Sequence, residues 1–149
     1  MPALRRHSLA AACGVLCIAL ASCASDSPTP TDAYVAVLSG AQEAPPVASA
    51  GTGRAELHYE QRSSVLRWRV NYAGLSGPVT AAHIHGPAGP GQNAPAIVPL
   101  HAAASPMVGQ VRLSPEQANQ LESGQWYLNL HTAAHPQGEV RGQVRHRTD

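Results

Sequence analysis

Apolar and polar residues alternate one by one through most of this chain, and that period decides what it can fold into. In "SVLRWRVNYAGL", Leu66, Trp68, Val70 and Tyr72 fall on one side of an extended chain, with Arg67, Arg69 and Asn71 on the other. "GRAELHYE" repeats the pattern with Ala55, Leu57 and Tyr59 against Glu56, His58 and Glu60. A period of two belongs to a β-strand with one buried and one wet face, whereas an amphipathic helix would show a period near 3.6. "YVAVLSG", "VTAAHIH", "MVGQVRL", "QWYLNLHT" and "GEVRGQVRH" behave alike, and the connectors "AGLSGPV", "GPAGPGQNAP" and "HPQGE" are rich in Gly and Pro. About seven short strands separated by turns predict an all-β antiparallel sandwich or small barrel.

One helix interrupts the pattern. "LSPEQANQLESGQ" offers Ser114 as N-cap, Pro115 at the first helical position and Gln117 three residues after the cap, with Gly124 where a helix would stop. At about two to three turns it is too short to organise the fold.

The first residues do not belong to that fold. Arg5, Arg6 and His7 precede the apolar run "SLAAACGVLCIAL", which has the length of a signal-peptide core and is too short to span a bilayer. The run closes on "LASC", Leu20 to Cys23, which resembles the lipobox of bacterial lipoproteins. That resemblance implies a signal over 1–22, lipidation of Cys23 and export to the cell envelope. With Ser25 rather than Asp behind the Cys, it also implies sorting to the outer membrane or periplasm where there are two membranes. The alternative is an ordinary signal peptide with Cys23 incidental. The Pro-rich stretch through 23–32 reads as a flexible tether, and 33–147 as the domain.

Composition narrows the function. The chain has 149 residues, room for one domain. Cys13 and Cys17 leave with the signal, so the domain has no disulfide and relies on its core. All ten basic residues are Arg, two of them in the leader, against nine acidic residues, and no basic run exists for nucleic acid. Ser stands in no G-x-S-x-G turn, no phosphate-binding Gly loop leads from strand to helix, and carboxylates are few and unpaired.

The chemistry that remains lies in the histidines. In "AAHIHG" the strand period sets His83 and His85 on one face and Ala82 and Ile84 on the other. Residues two apart on a strand are separated by roughly 6.5–7 Å, so one ion can sit between the two rings. In "YLNLHT", Leu128 and Leu130 point inward, with Asn129 and His131 outward. In "GEVRGQV", Val140 and Val144 point inward and Glu139, Arg141 and Gln143 lie on the polar side. His135 lies in the next loop. Neutral imidazole suits Cu, Zn and Ni, and a third His from a second strand would complete a three-ligand site. The candidate ligands are His83, His85, His131 and His135, with Glu139 as the acceptor that would fix a ring tautomer. The competing reading is that these imidazoles only hydrogen-bond loop backbone. His58, His101 and His146 fall outside the pattern and are expected in solvent or loops; Trp68, Trp126 and Tyr127 are expected to pack.

Three long segments carry a resemblance: "LSGAQEAPPVASAGTGRAEL", "YAGLSGPVTAAHIHGPAGPGQNAPAIVPL" and "LESGQWYLNLHTAAHPQGEVRGQV". Together they resemble the CHRD domain, named after chordin, an extracellular antagonist of bone morphogenetic proteins, and widespread in exported bacterial proteins. The resemblance implies an immunoglobulin-like β-sandwich with a distant kinship to copper/zinc superoxide dismutase, and no defined activity. Through that kinship His83 and His85 look like the dismutase's H-x-H copper ligands, His131 like its late copper ligand, and Arg141 like its anion-guiding Arg. Asn129 joins Glu139 and Arg141 as polar support around the site. The interval "GPAGPGQNAPAIVPLHAAASP" has one His and no Asp, so no zinc subsite is implied.

Three functions follow as expectations. The first is a lipid-anchored, non-catalytic cell-envelope module that binds copper or zinc through His83, His85 and His131, or a protein partner. The second is a copper-dependent, superoxide dismutase-like redox enzyme, against which the near-neutral charge offers no funnel for an anion. The third is a structural or adhesion domain without metal.

Overall fold

The computed structural model describes residues 30–101 and 104–148. The expected signal, Cys23 and most of the expected tether lie outside the described residues.

The described residues are all-β, with nine strands, β1 (Thr31–Ser39), β2 (Thr52–Glu60), β3 (Val65–Ala73), β4 (Val79–His85), β5 (Ala96–Leu100), β6 (Met107–Arg112), β7 (Tyr127–Thr132), β8 (Val140–Gln143) and β9 (Arg145–His146), plus one α-helix, α1 (Pro115–Glu122), and a 3-10 turn at Gly40–Gln42. β1 begins at Thr31, inside the stretch read as tether, because Thr31 and Asp32 continue the register opposite Glu60 and Tyr59. Pairing runs β5-β4-β7-β8-β1-β2-β3-β6 in one nearly closed path, with β9 alongside β1. Every pairing is antiparallel. The path divides naturally into two four-stranded layers, since β8 meets β1 through the single pair Ser39–Arg141.

The alternation read from sequence is the one that fills the core. Leu38, Leu57, Leu66 and Val70 from one layer pack with Ile84, Leu128, Leu130 and Val140 from the other, all fully buried. Burying a side chain of this size is worth about 1.5–3 kcal/mol, and with no Cys among the described residues this cluster is the main source of stability of the described fold.

β5 is the strand the sequence reading left out. "AIVPL" follows a loop dense in Pro and Gly and itself contains Pro99, which argues against a strand. The structure admits it because β5 is an edge, paired with β4 alone, where a Pro is tolerated. α1 forms as its caps predict. Ser114 Oγ accepts from Gln117 N–H while the Gln117 side chain accepts from Ser114 N–H, and Gly124 turns the chain away at φ +68°. Leu121 buries its inner face, and Trp126, fully buried, donates from Nε1 to Gln120 Oε1.

The polar face of β7 and β8 is not wet, as the alternation alone would suggest. Asn129, His131, Glu139, Arg141 and Gln143 are all buried. Loop residues 86–95 and the turn at 133–138 cover that face, making hydrogen bonds to Arg141, Gln143 and His131. The candidate site therefore lies between a rigid sheet and these loops.

Candidate metal centre

β4 and β7 are neighbours, and their register sets His83 opposite Asn129 and Ala81 opposite His131. His131 thus stands one diagonal step from His83, on the face that His85 also shares. One ligand nitrogen from each of His83, His85 and His131 lies within 4.8 Å of the others, close enough together to hold a metal ion. The ring centroids are 5.1 Å apart for His83–His131, 5.5 Å for His83–His85 and 6.4 Å for His85–His131.

Hydrogen bonds fix which nitrogen each ring offers. His131 Nδ1–H donates to the Pro136 carbonyl at 3.0 Å, and His85 Nδ1–H donates to the Ala94 carbonyl at 2.9 Å. A carbonyl only accepts, so each Nδ1 carries the proton and each Nε2 keeps its lone pair. His131 Nε2 meets His83 Nδ1 at 3.2 Å. His85 Nε2 is buried and has no partner. An unpartnered buried acceptor costs about 1–3 kcal/mol, and a cation shared with the other two rings would satisfy it.

The electrostatics favour neutral rings at His83 and His131. Burial lowers the His83 pKa, and His85 lowers it further. Burial also lowers that of His131, with the Pro136 carbonyl opposing and His83 and His85 adding to the effect. A metal ligand must be deprotonated, so these shifts leave the lone pairs available.

The loop readings of the histidines are therefore both present. His85 and His131 do tie loop backbone, but through Nδ1 alone, and their other nitrogens converge. His58, His101 and His146 are exposed, the last edge-on to Tyr34. Trp68 and Trp126 pack in the core. Tyr127 does more than pack. It stacks on His85, with centroids 4.8 Å apart and planes 4° apart, and the Arg141 guanidinium carbon lies 3.4 Å from the Tyr127 ring centroid. Tyr127 Oη also meets the Ala94 peptide at its N–H and carbonyl.

The structure places the other four candidates as follows. His135 is outside the converging trio; its backbone closes the turn onto Thr132. Glu139 holds no imidazole. Its oxygens accept from Ser49 Oγ, Ser76 N–H, Ser76 Oγ and Thr132 Oγ1 at 2.6–2.8 Å. Burial alone would raise its pKa, but hydrogen bonds from Ser76, Thr132 and Ser49 outweigh that and hold it at about 2. Arg141 is not free to guide an anion, because it is buried and donates to Asn93 Oδ1 and to the carbonyls of Gly89 and Gln92. Asn129 lies between His83 and Arg141 in register, but its Oδ1 has no partner. The groups that fix the tautomers are instead backbone carbonyls, which no side-chain motif encodes. Glu43, buried in "AQEAPP", was passed over altogether.

Fold and site together define a β-sandwich domain with three converging imidazoles on the covered face of one layer. The family model for the CHRD domain matches residues 34–144, and the chain belongs to that family. No curated protein and no solved structure matches it.

Proposed function

We propose that this is a lipid-anchored CHRD module of the cell envelope that binds one copper or zinc ion through His83, His85 and His131. The observation that carries the metal reading is the buried, unpartnered Nε2 of His85 among two further ring nitrogens. Three neutral imidazoles suit Cu and Zn, and three protein ligands leave a position open to a further ligand. Bound there, the ion supplies a fixed positive charge and a coordination site. The protein's own part is to hold two rings in one tautomer through Pro136 and Ala94 and to keep the pocket dry. The anchoring half rests on the "LASC" motif at Cys23.

A redox role receives less support, because Arg141 is held by three oxygens and stacked on Tyr127 rather than presented to solvent.

Calorimetry of the detergent-solubilised chain with Cu(II) and Zn(II), at pH 7 and pH 5, tests the metal. Saturable one-to-one binding is expected at pH 7, weakening at pH 5 as protons compete for the rings. No binding at either pH removes the reading. Metabolic labelling with a clickable fatty acid tests the anchor: wild type takes the label, Cys23→Ser does not, and an unlabelled wild type overturns it.

A further inference from the structure

Of the eight arginines among the described residues, Arg141 alone is buried and the other seven are exposed. They form no run in the sequence, because the strand period spaces them between core residues. The register gathers them. Arg54, Arg67, Arg69 and Arg112 fall on the outer face of the layer β1-β2-β3-β6, in four successive rows of the ladder. Glu56 and Glu60 share that face, 3.3 Å from Arg54 and 3.6 Å from Arg67, in pairs open to solvent where an ion pair is worth little. Four Arg against two Glu leaves an excess of two positive charges, and Arg145, opposite Val35, adds a third at the margin. Arg69 and Arg145 make no ion pair among the described residues.

Exposed apolar surface coincides with this charge. The large hydrophobic side chains left exposed among the described residues are Val37 and Val108, at 58% and 63%. Both lie on the same face, Val37 opposite Arg54 and Val108 opposite Arg69. Basic side chains with apolar ones between them suit the boundary of an anionic bilayer, where guanidinium meets phosphate and the apolar side chain leaves water. A nucleic acid would use the charge and leave the valines wet. The chain outside the structure narrows the occupant further. Cys23, the proposed lipidation site, lies eight residues before Thr31, a reach of at most about 29 Å. Thr31 opens β1 in the ladder row that also holds Arg112, so the anchor keeps this layer close to the headgroups.

We infer that the outer face of β1-β2-β3-β6 docks on an anionic phospholipid surface, with Arg54, Arg67, Arg69 and Arg112 among the phosphates and Val37 and Val108 at the headgroup boundary. The opposite layer, which carries the histidine trio, then faces away from the bilayer. The choice of a membrane over another polyanion rests on the anchor proposed at Cys23; the charge of the face does not.

Arginine footprinting of the full chain reconstituted into vesicles tests it, with phenylglyoxal as the reagent and mass spectrometry reading each arginine. In vesicles of phosphatidylglycerol and phosphatidylcholine, Arg67 and Arg69 should react about fivefold or more slowly than in phosphatidylcholine alone. The slowing should vanish in about 1 M NaCl, where the Debye length is about 3 Å. Arg54→Gln/Arg112→Gln should return Arg69 to within about twofold of its rate in phosphatidylcholine. Gln137→Arg places a reporter guanidinium at an exposed position on the opposite layer, and it should react equally in both vesicles. Equal rates for Arg69 in the two vesicles, or an equal slowing of the Gln137→Arg reporter, overturns the inference. Slowing by soluble polyglutamate but not by anionic vesicles also overturns it and assigns the face to an acidic protein. Fatty-acid labelling of the same preparation separates the two readings. A labelled chain with unprotected Arg69 removes the docking alone, and an unlabelled chain with protected Arg69 removes the anchor alone.

Discussion

His83 Nδ1 and His131 Nε2 stand 3.2 Å apart, and the proton on His131 Nδ1 is committed to the Pro136 carbonyl. With His131 neutral, its Nε2 has only a lone pair, so His83 Nδ1 must donate to it in the metal-free protein. With that proton on His83 Nε2 instead, His83 Nδ1, His85 Nε2 and His131 Nε2 would present three lone pairs around one space. Under the proposed function the same geometry would hold a hydrogen bond without metal and a ligand set with it.

Single replacements separate this trio from its neighbours. His83→Ala or His131→Ala should reduce Cu(II) and Zn(II) affinity by more than the roughly 10- to 100-fold typical of outer-shell changes. His135→Ala should leave it unchanged, because His135 lies outside the convergence. Calorimetry on the three variants checks this. An effect of His135→Ala equal to that of His131→Ala would place the ion elsewhere.

The converging histidine trio was legible because it follows from a short-range rule. The H-x-H spacing puts His83 and His85 on one face whatever the rest of the chain does, and "YLNLHT" orients His131 by the same alternation. Core residues such as Leu57, Leu66 and Leu130 were legible for the same reason, and α1 because its caps are encoded within four residues. What was lost is long-range. Whether the polar face of β8 is wet depends on loops folding over it from 40 or more residues away, so Glu139 and Arg141 could be placed on a face but not given their partners. Glu139 is bonded to Ser49 and Ser76, positions that carry no recognisable motif. β5 was lost because Pro99 is forbidden in a central strand and tolerated only at an edge, and sequence does not say which strands are edges.

Arg141 should act on the metal site through the loop. It holds Gly89, Gln92 and Asn93, while Ala94 in the same loop fixes the His85 tautomer. Lysine cannot reproduce three directed bonds or the stacking on Tyr127. Arg141→Lys should therefore cost roughly 10-fold in metal affinity, the lower range of outer-shell effects, while His83, His85 and His131 remain in place. Unchanged affinity together with a normal unfolding transition would show that the loop does not orient His85.

Glu139 predicts the acid limb of stability. Its pKa falls from the ordinary value of 4.5 to about 2 in the folded protein. The unfolded chain therefore binds the proton first, and the stabilisation is complete above about pH 5 and lost as pH falls through the folded value. A shift of this size corresponds to something on the order of 3 kcal/mol. Urea unfolding from pH 7 to pH 3 should show the wild type losing stability more steeply than Glu139→Gln, which starts lower at pH 7. Parallel curves would mean that the carboxylate's hydrogen bonds are not what keeps this corner of the sandwich closed.

Gly109 tests the packing of the other layer, on the β3–β6 pairing. It pairs with Trp68 across β3 and β6, and the indole ring lies over it so closely that a Cβ there would overlap the ring. Trp68 is 7% exposed and belongs to the core cluster, so it cannot swing outward without uncovering apolar surface. Gly109→Ala should therefore destabilise by about 1–3 kcal/mol, the usual cost of overpacking, even though alanine ordinarily favours an ordered backbone over glycine. Pairing it with Trp68→Leu distinguishes the cause, since removing the ring should abolish most of the alanine penalty in a double-mutant cycle. Additive effects of the two changes would show that the glycine is required for the backbone of β6 and not for the indole. Metal binding should be unaffected in either single variant, because neither residue belongs to the converging histidine trio.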